Sequence, residues 1–130
     1  MNLKLLLVAV LLLATSALYS QTLKITAVDA SSDAVYNEVA NKYLGKNIVL
    51  SVYDNSIGIK VGNMTPENLR KSKDGYYVLV VRDSNTEIET HTLTVNSTLS
   101  VITSVALEFI IEEKGGRNRR VSATLTAKRF

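Results

Sequence analysis

The chain changes its hydrophobic period, and that change limits the folds open to it. Between Ser32 and Gly45 the apolar residues Val35, Tyr36, Val39, Ala40, Tyr43 and Leu44 recur at helical spacing. Asn37, Glu38, Asn41 and Lys42 fill the opposite side. The pattern predicts one amphipathic helix with a single apolar stripe. Ser31 or Ser32 can cap it, Asp33 favours its first turn and Gly45 can stop it.

Elsewhere the period is mostly two, the spacing of a strand with one buried face. Residues 23–28 alternate and predict a first strand. Ile48, Leu50 and Val52 share a face, Asp54-Asn55-Ser56 is a turn signal, and Ile57, Ile59 and Val61 follow. Residues 76–81 (YYVLVV) are apolar on both faces and read as a central strand, whereas the Thr-rich residues 87–95 read as a strand near an edge. In residues 101–113, Val101, Val105, Leu107, Phe109 and Ile111 line one face, with Thr103 interrupting. Lys114-Gly115-Gly116 supplies a turn, and Val121, Ala123, Leu125 and Ala127 alternate on the return. One further segment, opening at Thr65-Pro66-Glu67, reads as a short helix with Pro at its first position, ending near Ser72.

This gives seven strands, or eight if residues 101–113 bend, against one substantial helix. A helix of about 12 residues is roughly 18 Å long and 10 Å wide. Seven strands spaced about 4.8 Å apart make a sheet about 29 Å across. One helix cannot roof that face, so the sheet must curl onto itself, meet a second sheet or meet a partner. Curling is the cheapest route for consecutive hairpins, and it removes exposed edges. The expected fold is mainly β: an antiparallel up-and-down sheet curled into a barrel, with one amphipathic helix near the N-terminus. The alternative is an α+β fold, an open antiparallel sheet with the helix packed on one face.

The first twenty residues stand apart. Lys4 precedes a ten-residue apolar run, LLLVAVLLLA, and a small polar exit, TSALYS. This is the layout of a secretory signal peptide, with cleavage after Ser20 or after Ala17. A membrane span needs about 20 apolar residues, and the run breaks at Thr15. Residues 1–20 are therefore expected to direct the chain to a secreted or periplasmic location, and residues 21–130 to form a single β-rich domain without stable membrane insertion. Without Lys4 the formal charge of +3 becomes +2, too near balance to imply a nucleic-acid partner. The absence of Cys excludes disulfides and thiolate metal sites, and a single His excludes multi-histidine metal centres.

The order helix, Gly45-Lys46-Asn47, long strand resembles the entry to small secreted lipocalin-like (calycin-type) barrels. In that family a G-x-W motif follows a helical turn, and a basic residue near the last strand covers the Trp. Gly45 matches the Gly, Asn47 stands in the place of the Trp, and Arg120, Lys128 or Arg129 would be the basic residue. The terminal Ala127-Lys128-Arg129-Phe130 also resembles the closing strand of small fatty-acid-binding barrels. The resemblance implies a barrel and transfers no ligand.

Few residues offer chemistry. His91, in Thr90-His91-Thr92, has no nucleophile or orienting acid that the sequence places beside it, and reads as a solvent-facing strand residue. Glu87 and Glu89 share a strand face about 6.6 Å apart, within the range of paired catalytic carboxylates, but read as a solvated edge. The basic residues after Glu113, Arg117 among them, read as a charged hairpin tip. No catalytic residue, metal site or cofactor is expected. The expected function is non-catalytic binding of an apolar or amphipathic small molecule inside the barrel, at Tyr53, Tyr76, Leu107, Phe109 and Leu125. Small Val121, Ala123 and Ala127 would leave lumen space. The alternative is a cell-envelope protein-interaction or structural module with a filled core, whose partner would be an envelope protein.

Overall fold

The computed structural model describes residues 18–115 and 119–130. The expected signal segment up to Ala17, and Gly116 and Arg117 of the hairpin tip, lie outside them. Eight strands run in sequence order around a closed antiparallel barrel. They are β1 (Tyr19–Ala30), β2 (Asn47–Val52), β3 (Ser56–Val61), β4 (Glu67–Lys71), β5 (Tyr77–Asp83), β6 (Glu87–Thr98), β7 (Val101–Glu113) and β8 (Arg120–Lys128). Among the described residues the single helix, α1 (Asp33–Tyr43), lies between β1 and β2. The β1–β8 ladder, from Lys24 opposite Lys128 to Ala30 opposite Ala123, closes the barrel and excludes the open sheet.

The area mismatch is thus resolved by curling. Leu23, Leu50, Ile59, Leu69, Leu93, Leu107 and Leu125 come from seven different strands and are all buried. Tyr77 and Leu79 of β5 pack against them. Each such Leu or Ile contributes about 1.5–3 kcal/mol by leaving water. The middle of the barrel is therefore filled by side chains.

Bulges keep the alternation in step with the core. The β1–β8 register shifts between Ile25 and Ala27, so Leu23 and Ile25 face inward before the shift and Val28 after it. Without the extra residue Val28 would point to solvent. The β6–β7 register shifts in the same way at Asn96 and Ser97. Ile102 is consequently buried while Val101 is exposed, which corrects the assignment of Val101 to the inner face.

Two other expectations are corrected. The segment after Pro66 is the strand β4, not a short helix: Ile57 and Ile59 of β3 pair with Leu69 and Glu67, and Leu69 is buried. This supplies the eighth strand, and residues 101–113 form one continuous element. Residues 87–95 do not form an edge, because β6 is paired on both sides. Residues 77–83 form β5, which is paired on both sides as a central strand is, and closure leaves it an outer face on which Val80 and Val81 are exposed.

The wall of the barrel is uneven. β1, β6 and β7 have 12, 12 and 13 residues, whereas β2, β3 and β4 have 6, 6 and 5. At roughly 3.3 Å per residue the tall strands span about 40 Å and the short ones about 20 Å. The β1–β2 ladder stops at Lys24 opposite Asn47. Only Arg70 and Lys71 of β4 pair with β5, so residues 79–83 have no β4 partner. Above the short wall the barrel is open on one side, and α1, about 16 Å long, occupies that side. Ser32 Oγ accepts from the Val35 amide at 3.3 Å to start the helix. Gly45, at φ +83°, ends it, and its amide donates to the Ile25 carbonyl at 3.0 Å, returning the chain to the barrel. Among the described residues no helix is long and apolar enough to cross a membrane.

Candidate functional site

No residue of α1 is buried. Its apolar stripe faces a cavity of about 400 Å³ between the helix and the mouth of the barrel. Val35, Val39 and Tyr43 form the helical side. Met64, Phe109, Ile111, Val121 and Ala123 form most of the rest of the apolar wall. Val121 and Ala123 come from β8, where their small side chains leave the space that a Leu would fill.

One end of the cavity is polar. His91, only 5% exposed, projects inward from β6. Its Nδ1 lies 2.6 Å from Glu67 Oε2 and its Nε2 2.8 Å from Glu89 Oε2. Glu89 reaches His91 because residues two apart on a strand share a face. Glu67 reaches it from β4, two strands away, at the height where β4 and β5 are unpaired. The edge-on ring of Phe109, with centroids 4.6 Å apart, packs against the imidazole, and Tyr43 stacks on Phe109 at 6.2 Å. Arg82 of β5 binds Glu87 and lies 3.6 Å from Glu89 Oε1. His91 is therefore a buried, doubly hydrogen-bonded residue, which corrects the expectation that it faces solvent. Glu89 likewise belongs to a cluster rather than to a solvated edge.

This geometry limits the chemistry. Both ring nitrogens of His91 are held by carboxylates, so neither is free to take a proton from a nucleophile. The carboxylates sit on opposite nitrogens, so no single point lies within coordination distance of all three groups. Among the described residues no group of three or more His, Asp or Glu side chains is placed to hold a metal ion. What remains is an apolar chamber with a charged end, the composition of a binding pocket.

The residues expected to bind a ligand are dispersed. Phe109 lines the cavity. Leu107 and Leu125 pair with each other and are fully buried in the filled core below it. Tyr53 lies on the outer wall in a depression of about 670 Å³ with Val49, Ser51, Gly58 and Lys60. That depression is larger and is built mostly on the barrel's outer face; of the ionic cluster only Glu67 borders it. Tyr76 is partly exposed at the β4–β5 turn. Of the three small residues on β8, Ala127 is fully buried at the opposite end. At the hairpin tip, Lys114 is paired with Asp83 and Arg120 lies 3.6 Å from Glu112, so both charges have partners.

The residues that sequence reasoning passed over are Glu67, Glu89 and His91. The Glu89–His91 spacing of two was a usable signal. Glu67 had none, because its approach depends on how far β4 rises in the closed barrel. No protein-family model, characterised protein or solved structure matches the chain.

Proposed function

We propose that this protein is an exported, non-catalytic binder of an apolar or amphipathic small molecule, held between α1 and the barrel mouth. The observation that carries the reading is the cavity of about 400 Å³ beside the apolar face of α1, where Val39 and Tyr43 touch the core and stay only partly buried. A helix in water gains most of its stability by burying such a face. An occupant would complete that burial. The resemblance to lipocalin-like barrels belongs to the same proposal, with the ligand at the mouth and not in the filled middle. Native mass spectrometry and titration with an apolar dye test it. The purified protein takes up one equivalent of dye, and Val121→Trp, which fills the cavity from a half-exposed position, abolishes uptake. Absence of both bound lipid and dye uptake in the unsubstituted protein would defeat the reading.

Export is part of the proposal, to a secreted or periplasmic location. Tyr19 and Ser20 pair with Val52 and Ser51, and the Leu18 amide donates to the Val52 carbonyl at 2.7 Å. Cleavage after Ala17 keeps these contacts, and cleavage after Ser20 removes them. The intact mass of the exported protein is expected to place Leu18 first.

The filled middle of the barrel favours a second reading, a cell-envelope interaction or structural module. A reproducible cross-linked protein partner in envelope extracts, with no small-molecule uptake, would select it.

A further inference from the structure

The polar end of the cavity has a chemical sign. Each nitrogen–oxygen contact of His91 needs one hydrogen between its atoms. Two hydrogens shared among one imidazole and two carboxyl groups leave a net charge of −1: two carboxylates and one imidazolium, or any equivalent placement. The imidazole has no donor left for a ligand. The side chains of Glu67 and Glu89 are 16% and 22% exposed against 6% for His91, so carboxylate oxygens are what the cluster presents.

The surrounding charges do not cancel that sign. Arg82 is engaged by both Glu87 and Glu89. On the helix, Glu38 and Lys42 also border the cavity. The Lys42 ammonium lies over the Tyr43 ring, 5.3 Å from its centroid, and makes no ion pair among the described residues. Counting Arg82 with Glu87, Lys42 with Glu38, and the cluster at −1, the site keeps one uncompensated negative charge. A carboxylate beside an apolar wall is poorly solvated, and a cation relieves it. Of the aromatic wall, the face of Tyr43 is taken by Lys42, which leaves Phe109 as the ring that a ligand cation meets.

Resting on the reading of the cavity as a ligand site, we infer that its occupant is an amphipathic cation, an apolar body with a protonated amine. The amine donates to Glu67, whose second oxygen has no partner among the described residues, and the apolar body lies along Val39, Phe109 and Ile111.

Three probes with the same ten-carbon tail test this: decylammonium, decanol and decanoate, each titrated below its micelle concentration into the full-length exported protein. Decylammonium is expected to bind at least about tenfold more tightly than decanol, as for a charge-assisted hydrogen bond, with decanoate weakest. Glu67→Gln, and separately Glu89→Gln, weaken binding of the amine more than binding of the alcohol and so narrow the gap between them. Decanol or decanoate binding as tightly as the amine overturns the inference while leaving the cavity reading intact. So does an amine preference that survives both substitutions. Failure of all three probes to bind defeats the cavity reading, and the inference with it. The comparison of probes on the unsubstituted protein decides the matter even if a variant does not fold.

Discussion

The middle of the barrel and its mouth are built from the same strands and obey different rules. In the middle, β6, β7 and β8 place Leu93, Leu107 and Leu125 inward, all fully buried against one another. One inward step higher, the same strands place His91, Phe109 and Ala123 around a cavity. The alternation is unbroken, but the wall opposite has changed. Below, the short strands β2, β3 and β4 supply Leu50, Ile59 and Leu69. Above, those strands give way: Met64, Glu67 at the start of β4 and the helix α1 stand opposite. A closed ring of strands lets side chains fill the interior completely, whereas a helix set across a gap leaves room and admits charge.

The largest effect is expected in the middle. Leu107→Ala removes a fully buried side chain from a tightly packed layer and should cost about 3 kcal/mol. Phe109→Ala, one inward position further along β7, only enlarges an existing space. It should cost markedly less stability, and it should abolish dye uptake. Urea denaturation with a constant slope, run beside a dye titration, separates the two. Equal losses of stability would mean that the mouth is packed as tightly as the middle.

A smaller effect is expected at the ionic cluster. Removing one partner of a buried ion pair costs about 3–5 kcal/mol when the remaining charge is sealed from water. Glu67 and Glu89 keep some exposure, so His91→Leu should cost less, about 2 kcal/mol, as two carboxylates lose their common donor. Replacing Glu67, Glu89 and His91 together by Leu should recover most of that loss in urea denaturation, since no charge is then left unmatched. If the triple replacement is no more stable than His91→Leu alone, the cost lies in packing against Phe109 and not in charge.

The sequence makes one of these regions much more legible than the other. Period-two alternation and the excess of strand area over one helix lead to a closed barrel with its greasy middle, because both depend on local spacing and on length. The height of each strand does not follow from spacing. Leu69 is the only large apolar residue in Glu67–Lys71, so β4 carried no alternation to betray it, and Pro66 fitted a helix start equally well. Without β4, spacing alone does not place Glu67 beside His91, 24 residues away. In the sequence His91 stands among threonines, the pattern of an exposed strand. Phe109 lies at the cavity because it points inward on β7 one step beyond the filled core. Tyr53 and Tyr76 lie away from it, because their positions depend on which face each turn delivers.

The smallest predicted effect concerns the helix itself. The Ser32 cap is a long, exposed hydrogen bond to the Val35 amide, so Ser32→Ala belongs at the low end of cap losses, about 0.5–1 kcal/mol. Because α1 buries no residue of its own, that loss should fall on the helix and hardly move the urea midpoint of the barrel. It should instead reach the cavity. A helix destabilised by about 0.7 kcal/mol spends roughly threefold more time away from its closed position. Dye should therefore leave about threefold faster in stopped-flow displacement, with global stability unchanged. A urea midpoint that drops in step with the off-rate would show that α1 unfolds only with the barrel. The mouth would then be a continuation of the core and not a separately held cover.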